Sequence, residues 1–168
     1  MMIDLKRCAH HLTSTNWHFK RAFPQETLNA IEWRIKNSEA RHLGEIRFVI
    51  EVALSGALLF RKQSARERAI DIFSQLRIWD TDYRNGVLIY LLLADHSVEI
   101  VADRGIDIKV GDPVWKKICH DMEVAFHDKH YEQGAFGGID AITHLLTQHF
   151  PANALNKNEL PDNVMILY

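Results

Sequence analysis

Acidic and amide side chains gather in two short stretches of this sequence, and their chemistry is that of ligands for a hard cation. One stretch holds Asp80, Asp82, Arg84 and Asn85; the other holds Asp103, Arg104 and Asp107, with Asp112 just beyond. Carboxylate and amide oxygens suit Ca2+ or Mg2+, which favour oxygen donors over nitrogen and sulfur. The same residues have a plainer use. Asp is common at turns and helix caps, and Arg84 and Arg104 could neutralise the cluster as ion pairs. Asp112, directly before Pro113, is accounted for by capping a helix that starts there.

Other constellations carry less. Asp80-Thr81-Asp82 has the spacing of an aspartyl-phosphate phosphatase motif, but that chemistry needs the first Asp directly after a buried parallel strand. Here the motif follows a helical pattern and precedes a strand. No Cys-x5-Arg loop, P-loop or GxSxG elbow occurs. His120 and His127 share a helix face about 10 Å apart, too far for one metal ion. His127 and His130 could share one only if the helix ran through both, and a solvated polar face is the simpler reading. Glu51 falls inside an apolar strand, which calls for a partner such as Arg47 or for a pocket. The carboxyl ends of the parallel strands, where open α/β sheets usually bind ligands, fall at Ser55-Gly56 and Asp95-His96. Neither segment is a phosphate cradle, and the acidic edge is the preferred site.

These residues must be positioned by the elements around them. A helix opens at Phe23-Pro24-Gln25, where proline in the first turn loses no hydrogen bond, and carries Leu28, Ile31 and Ile35. It should close near His42-Leu43-Gly44. Glu45–Leu54 alternates, with Ile46, Phe48, Ile50 and Val52 on one face, which predicts a strand. Ser64 and Glu67 form a capping box that starts the next helix. After the Asn85-Gly86 turn, Val87–Ala94 is apolar on both faces, as a strand covered by helices on both sides should be. Asp95-His96-Ser97 is hairpin-sized, so Val98–Ala102 should return antiparallel. A helix from Asp112 carries Trp115, Ile118, Met122 and Phe126; a last one carries Ile139, Ile142, Leu145 and Leu146 and stops before Phe150-Pro151. Val164–Tyr168 either docks as an edge strand or stays loosely held. The order α-β-α-β-β-α-α, with right-handed crossovers, predicts a three-layer α/β/α sandwich around a small mixed sheet. In an antiparallel pair the start of one strand lies beside the end of the other, so the two acidic stretches should meet at one edge.

Bulk properties narrow the class. The chain has 168 residues, 47% hydrophobic and 25% charged, with a net charge of −2. That suits one globular domain able to fold without disulfide or metal, and lacks the basic excess of a nucleic-acid footprint. Cys8 and Cys119 form no CxxC pair and read as idle thiols. Asp4, Lys6, Arg7, His10 and His11 interrupt any signal-peptide core, and the longest apolar run, Val87–Ala94, is far short of the roughly 20 residues a membrane helix needs. A cytoplasmic location is the expectation. Three segments follow: polar residues 1–22, an α/β domain over 23–151, and a tail over 152–168.

Several motifs agree in order and spacing with one known family. Arg66-Glu-Arg-Ala, Ile78-Trp-Asp-Thr, Asn85-Gly-Val-Leu-Ile-Tyr, Val98-Glu-Ile-Val-Ala-Asp-Arg-Gly, the stretch Tyr131–Gly138 and His149-Phe150-Pro151 together resemble a TPM domain over roughly residues 24–151. The resemblance implies calcium binding and, in some members, acid phosphatase activity. Members tend to carry Gly-Leu-Glu-Gly after the third strand; this chain has Gly105-Ile106-Asp107-Ile108, which keeps the carboxylate and loses the second glycine.

Three functions are compatible with these features. The first is a TPM-like cation-binding accessory or regulatory domain, with Asp103 and Asp107 as ligands helped by Asp82, Asn85 and Asp80. The alternatives are a metal-assisted acid phosphatase, for which no nucleophile or base is identifiable in the cluster, and a structural protein-interaction module. Partners would be another protein or a membrane-protein complex, with no nucleic acid.

Overall fold

The computed structural model describes His11, residues 16–153 and residues 158–168. Cys8 and the residues read against a signal peptide, apart from His11, lie outside that set.

Two strands buried along their whole length form the centre. β1 (Glu45–Glu51) and β2 (Gly86–Leu92) are buried at every position. They pair in parallel, in register from Glu45 opposite Gly86 to Glu51 opposite Leu92. β3 (Ser97–Ala102) returns antiparallel on β2 through a single 3-10 turn over Leu93–Asp95. A short β4 (Met165–Leu167) pairs in parallel with β1, so the sheet order is β3-β2-β1-β4. The tail therefore docks as an edge strand.

Period-2 alternation sends each face of the sheet into its own core. Ile46, Phe48 and Ile50 of β1 join Val87, Ile89 and Leu91 of β2 against one helical layer. That layer comprises α1 (Asn16–Ala22), α2 (Gln25–Glu39), and two long helices named below. On the other face, Val49, Leu88, Tyr90 and Val101 meet α3 (Gly56–Phe60) and α4 (Ala65–Gln75), chiefly through Ala69, Ile72 and Phe73. The result is the expected three-layer α/β/α sandwich. Each fully buried Leu, Ile or Phe contributes about 1.5–3 kcal/mol of transfer free energy, which is why two such faces specify the layering.

Helix ends show where local signals prevailed and where they did not. Ser64 and Glu67 make the expected capping box of α4. α2 stops at Glu39, earlier than Gly44 suggested; Gly44 is small for packing, since a Cβ there would lie 2.4 Å from Leu146 Cδ2. Residues expected as loop form a further helix, α5 (Arg104–Val110). α6 (Asp112–His127) is capped by Gly111 at φ 84°, so Asp112 is its first helical residue and not the N-cap. α7 (Tyr131–His149) ends before Pro151 as expected. Among the described residues no helix is long and apolar enough to cross a membrane.

Candidate functional site

The end of β3 and the start of β2 lie side by side, and the acidic stretches meet there. The Asp103 N–H donates to the Gly86 carbonyl at 2.8 Å. Gly105 lies so close to the 83–84 backbone that a Cβ would fall 2.4 Å from the Arg84 carbonyl oxygen and 2.6 Å from that of Tyr83. Only glycine permits that approach.

Two side chains at this junction are held in place with one oxygen left over. Asn85 is fully buried; its backbone N–H donates to Thr81 Oγ1 at 3.2 Å and its Nδ2 to the Leu43 carbonyl at 3.0 Å. Its Oδ1 is buried and has no hydrogen-bond partner among the described residues. Asp103 precedes α5, its Oδ1 accepting from the Arg104 N–H at 2.7 Å, while its Oδ2 is also buried with no partner among the described residues. Unpaired buried acceptors are rare and costly, so two on adjoining loops call for an explanation.

The remaining expected ligands are placed differently. Asp107 Oδ1 accepts from the Trp115 indole N–H at 2.9 Å, tying α5 to α6. Asp80 and Asp82 are exposed, and the Asp82 N–H donates to the Glu159 carboxylate at 3.2 Å. Asp112 faces Lys116 at 3.9 Å on the surface. Among the described residues, no three His, Cys, Asp or Glu side chains form a group that could hold a metal ion. Neither Arg84 nor Arg104, both exposed, pairs with a carboxylate among those residues. Of the histidines, His127 ends α6 and His130 caps α7, with a break between them, so no continuous helix joins the two.

Glu51 finds a partner other than Arg47. Its carboxylate accepts from Arg68 Nε and Nη2 at 2.8 and 3.0 Å, and from the Tyr90 hydroxyl at 2.7 Å. Arg47 instead donates to the carbonyls of Pro161 and Asn163, beneath the tail. Beside it Glu45 accepts from the backbone N–H groups of Glu159 and Leu160 at 3.0 and 3.1 Å. Burial pushes the Glu45 carboxyl up to about 7 against those two donations. Glu39 is pushed up to about 9, first by burial and then by repulsion from Glu45 and Asp162. Charged residues inside a strand covered on both faces were the only sequence signal for this buried polar layer. The tail partners of Glu45 and Arg47 lie more than a hundred residues away, and those of Glu51 on a separate helix and strand, so the sequence did not show them.

The TPM domain family matches residues 19–145 of the chain. Among solved structures, the BA42 protein of the psychrophilic bacterium Bizionia argentinensis is 30% identical, with a TM-score of 0.74 over 84% of this chain and 92% of that one. The N-terminal domain of a P. gingivalis protein shares the fold at 17% identity, with a TM-score of 0.58 over 74% of this chain and 78% of that one. Comparison with curated proteins gives no match.

Proposed function

The chain belongs to the TPM domain family, and from that premise we propose that it is an accessory domain that binds Ca2+ or Mg2+ where the 80–86 and 103–107 segments adjoin. One observation carries the reading: Asn85 Oδ1 and Asp103 Oδ2 are buried acceptors with no donor among the described residues. A hard cation satisfies such oxygens, and neither zinc nor copper prefers them. Asp103 and Asn85 would hold the ion, with Asp80, Asp82 and Asp107 adding negative charge nearby. The glycine contact at Gly105 supports this by keeping the two segments together without bound metal. Among the described residues Arg84 and Arg104 pair with no carboxylate, which supports it too, because no ion pair there already neutralises the junction.

An ion bound only to the folded state stabilises it by about 2.7 kcal/mol at a hundredfold excess over Kd. In a domain of this size that raises Tm by roughly 5–10 °C. Thermal melts in chelator and then in millimolar Ca2+ or Mg2+ measure this. Asp103→Asn, which keeps an oxygen for the Arg104 N–H, should abolish the rise. No rise with either ion in the parent protein overturns the proposal. Hydrolysis of an aryl phosphate by the metal-loaded protein, lost in Asp103→Asn, would replace the accessory reading with a metal-assisted phosphomonoesterase.

A further inference from the structure

The opposite edge of the sheet, where β1 and β2 end, opens onto a cleft of about 660 Å³. Val52 follows β1 and Ala94 follows β2 into its lining, so the cleft sits outside the carboxyl ends of two adjacent parallel strands. Open α/β sheets usually bind small molecules at that edge, and the volume lies in the ordinary range for a ligand site.

Two observations say what chemistry would fit. First, Trp17 projects from α1 into this cleft and stays 62% exposed, with the Arg21 guanidinium 5.5 Å from its ring centroid. An indole this exposed beside a cavity offers the ring face that Arg21 does not cover as a stacking platform for a flat ring. Second, Arg21 and Lys129 both line the cleft, and no carboxylate lines it among the described residues. In a chain of net charge −2, two cationic side chains on one cleft, with no carboxylate beside them among the described residues, concentrate anions.

We infer that this cleft binds a small aromatic anion: a planar ring bearing a phosphate or carboxylate, stacked on Trp17, with its charge between Arg21 and Lys129. The site is independent of the cation junction, which lies at the other end of β2.

Titrating 15N-labelled full-length protein by NMR tests this, using adenosine monophosphate and 2-naphthoate as probes. Adenosine and inorganic phosphate serve as controls for ring and charge alone. Both planar anions should shift the Trp17 indole N–H and the Lys129 amide saturably. Each control should bind about tenfold more weakly or worse, since each lacks one contact class. Arg21→Gln with Lys129→Gln should weaken the anions by about tenfold or more while Tm holds, because both side chains are exposed. If neither anion moves those resonances at millimolar concentration, or adenosine binds as tightly as its monophosphate, the inference fails. It fails equally if the shifts fall on the 80–86 and 103–107 segments instead.

Discussion

At the scale of single residues, the buried acids decide how the protein responds to pH. Glu39 and Glu45 have carboxyl values raised to about 9 and about 7, so the folded state holds protons that the unfolded chain releases. Their contribution is complete below the ordinary carboxyl range, and it is lost as pH rises through 7 and then 9. His42 works in the other direction. Fully buried, with its Nδ1–H donated to the Gly44 carbonyl at 2.9 Å, it is held down to about 4, chiefly by burial. Its contribution is present above the usual imidazole range and lost as pH falls toward 4. Tm measured from pH 5 to 9.5 should therefore decline on the alkaline side, and Glu39→Gln should flatten that decline. An unchanged alkaline slope in the variant would show that the glutamate is ionised throughout. The Glu51–Arg68–Tyr90 group makes a second prediction. Arg68→Ala leaves a buried carboxylate with only one donor and should cost about 3–5 kcal/mol in denaturant unfolding.

At the scale of elements, Gly105 determines whether the two acidic segments adjoin. Adding one methyl group there sets a carbon against two backbone oxygens, which cannot rotate away as a side chain would. Gly105→Ala should cost about 1–3 kcal/mol by overpacking. It should also remove the cation-dependent rise in Tm, because it pushes the 83–84 backbone off α5. A variant that loses stability yet keeps the full rise would place the ion elsewhere. Asp107 belongs to the same argument. Its bond to Trp115 fixes α5 on α6, so Asp107→Asn, which keeps an acceptor oxygen, should leave the fold intact while lowering charge near the junction.

At the scale of the whole molecule, the tail is part of the sandwich. Residues 158–168 satisfy Glu45 and Arg47, accept the Val52 N–H at 2.9 Å through the Leu167 carbonyl, and place Tyr168 edge-on to Phe19. Ending the chain at residue 157 would take from the buried Glu45 and Arg47 their tail partners and open an edge of β1. Such a variant should lose several kcal/mol, and hydrogen exchange should show the amides of β1 losing protection before those of β2. Equal protection of both strands would show that β4 is dispensable.

The sequence determined what depends on neighbours along the chain. Alternation over Glu45–Leu54 and the unbroken apolar run Val87–Ala94 set the strands, their burial and hence the three layers, because a period of two fixes which face each side chain takes. Ser64 and Glu67 set a helix start through a bond spanning three residues. The meeting of the two acidic stretches was legible too, since antiparallel pairing dictates it. Only the tertiary structure decided what each of those side chains then does. Asp107 bonds Trp115, Gly111 takes the cap that Asp112 was expected to make, Glu51 pairs with Arg68, and Glu45 holds Glu159 and Leu160. Each carboxylate had several chemically equivalent donors within the composition. Which one it meets follows from how helices and tail pack in space, and local spacing carries no record of that.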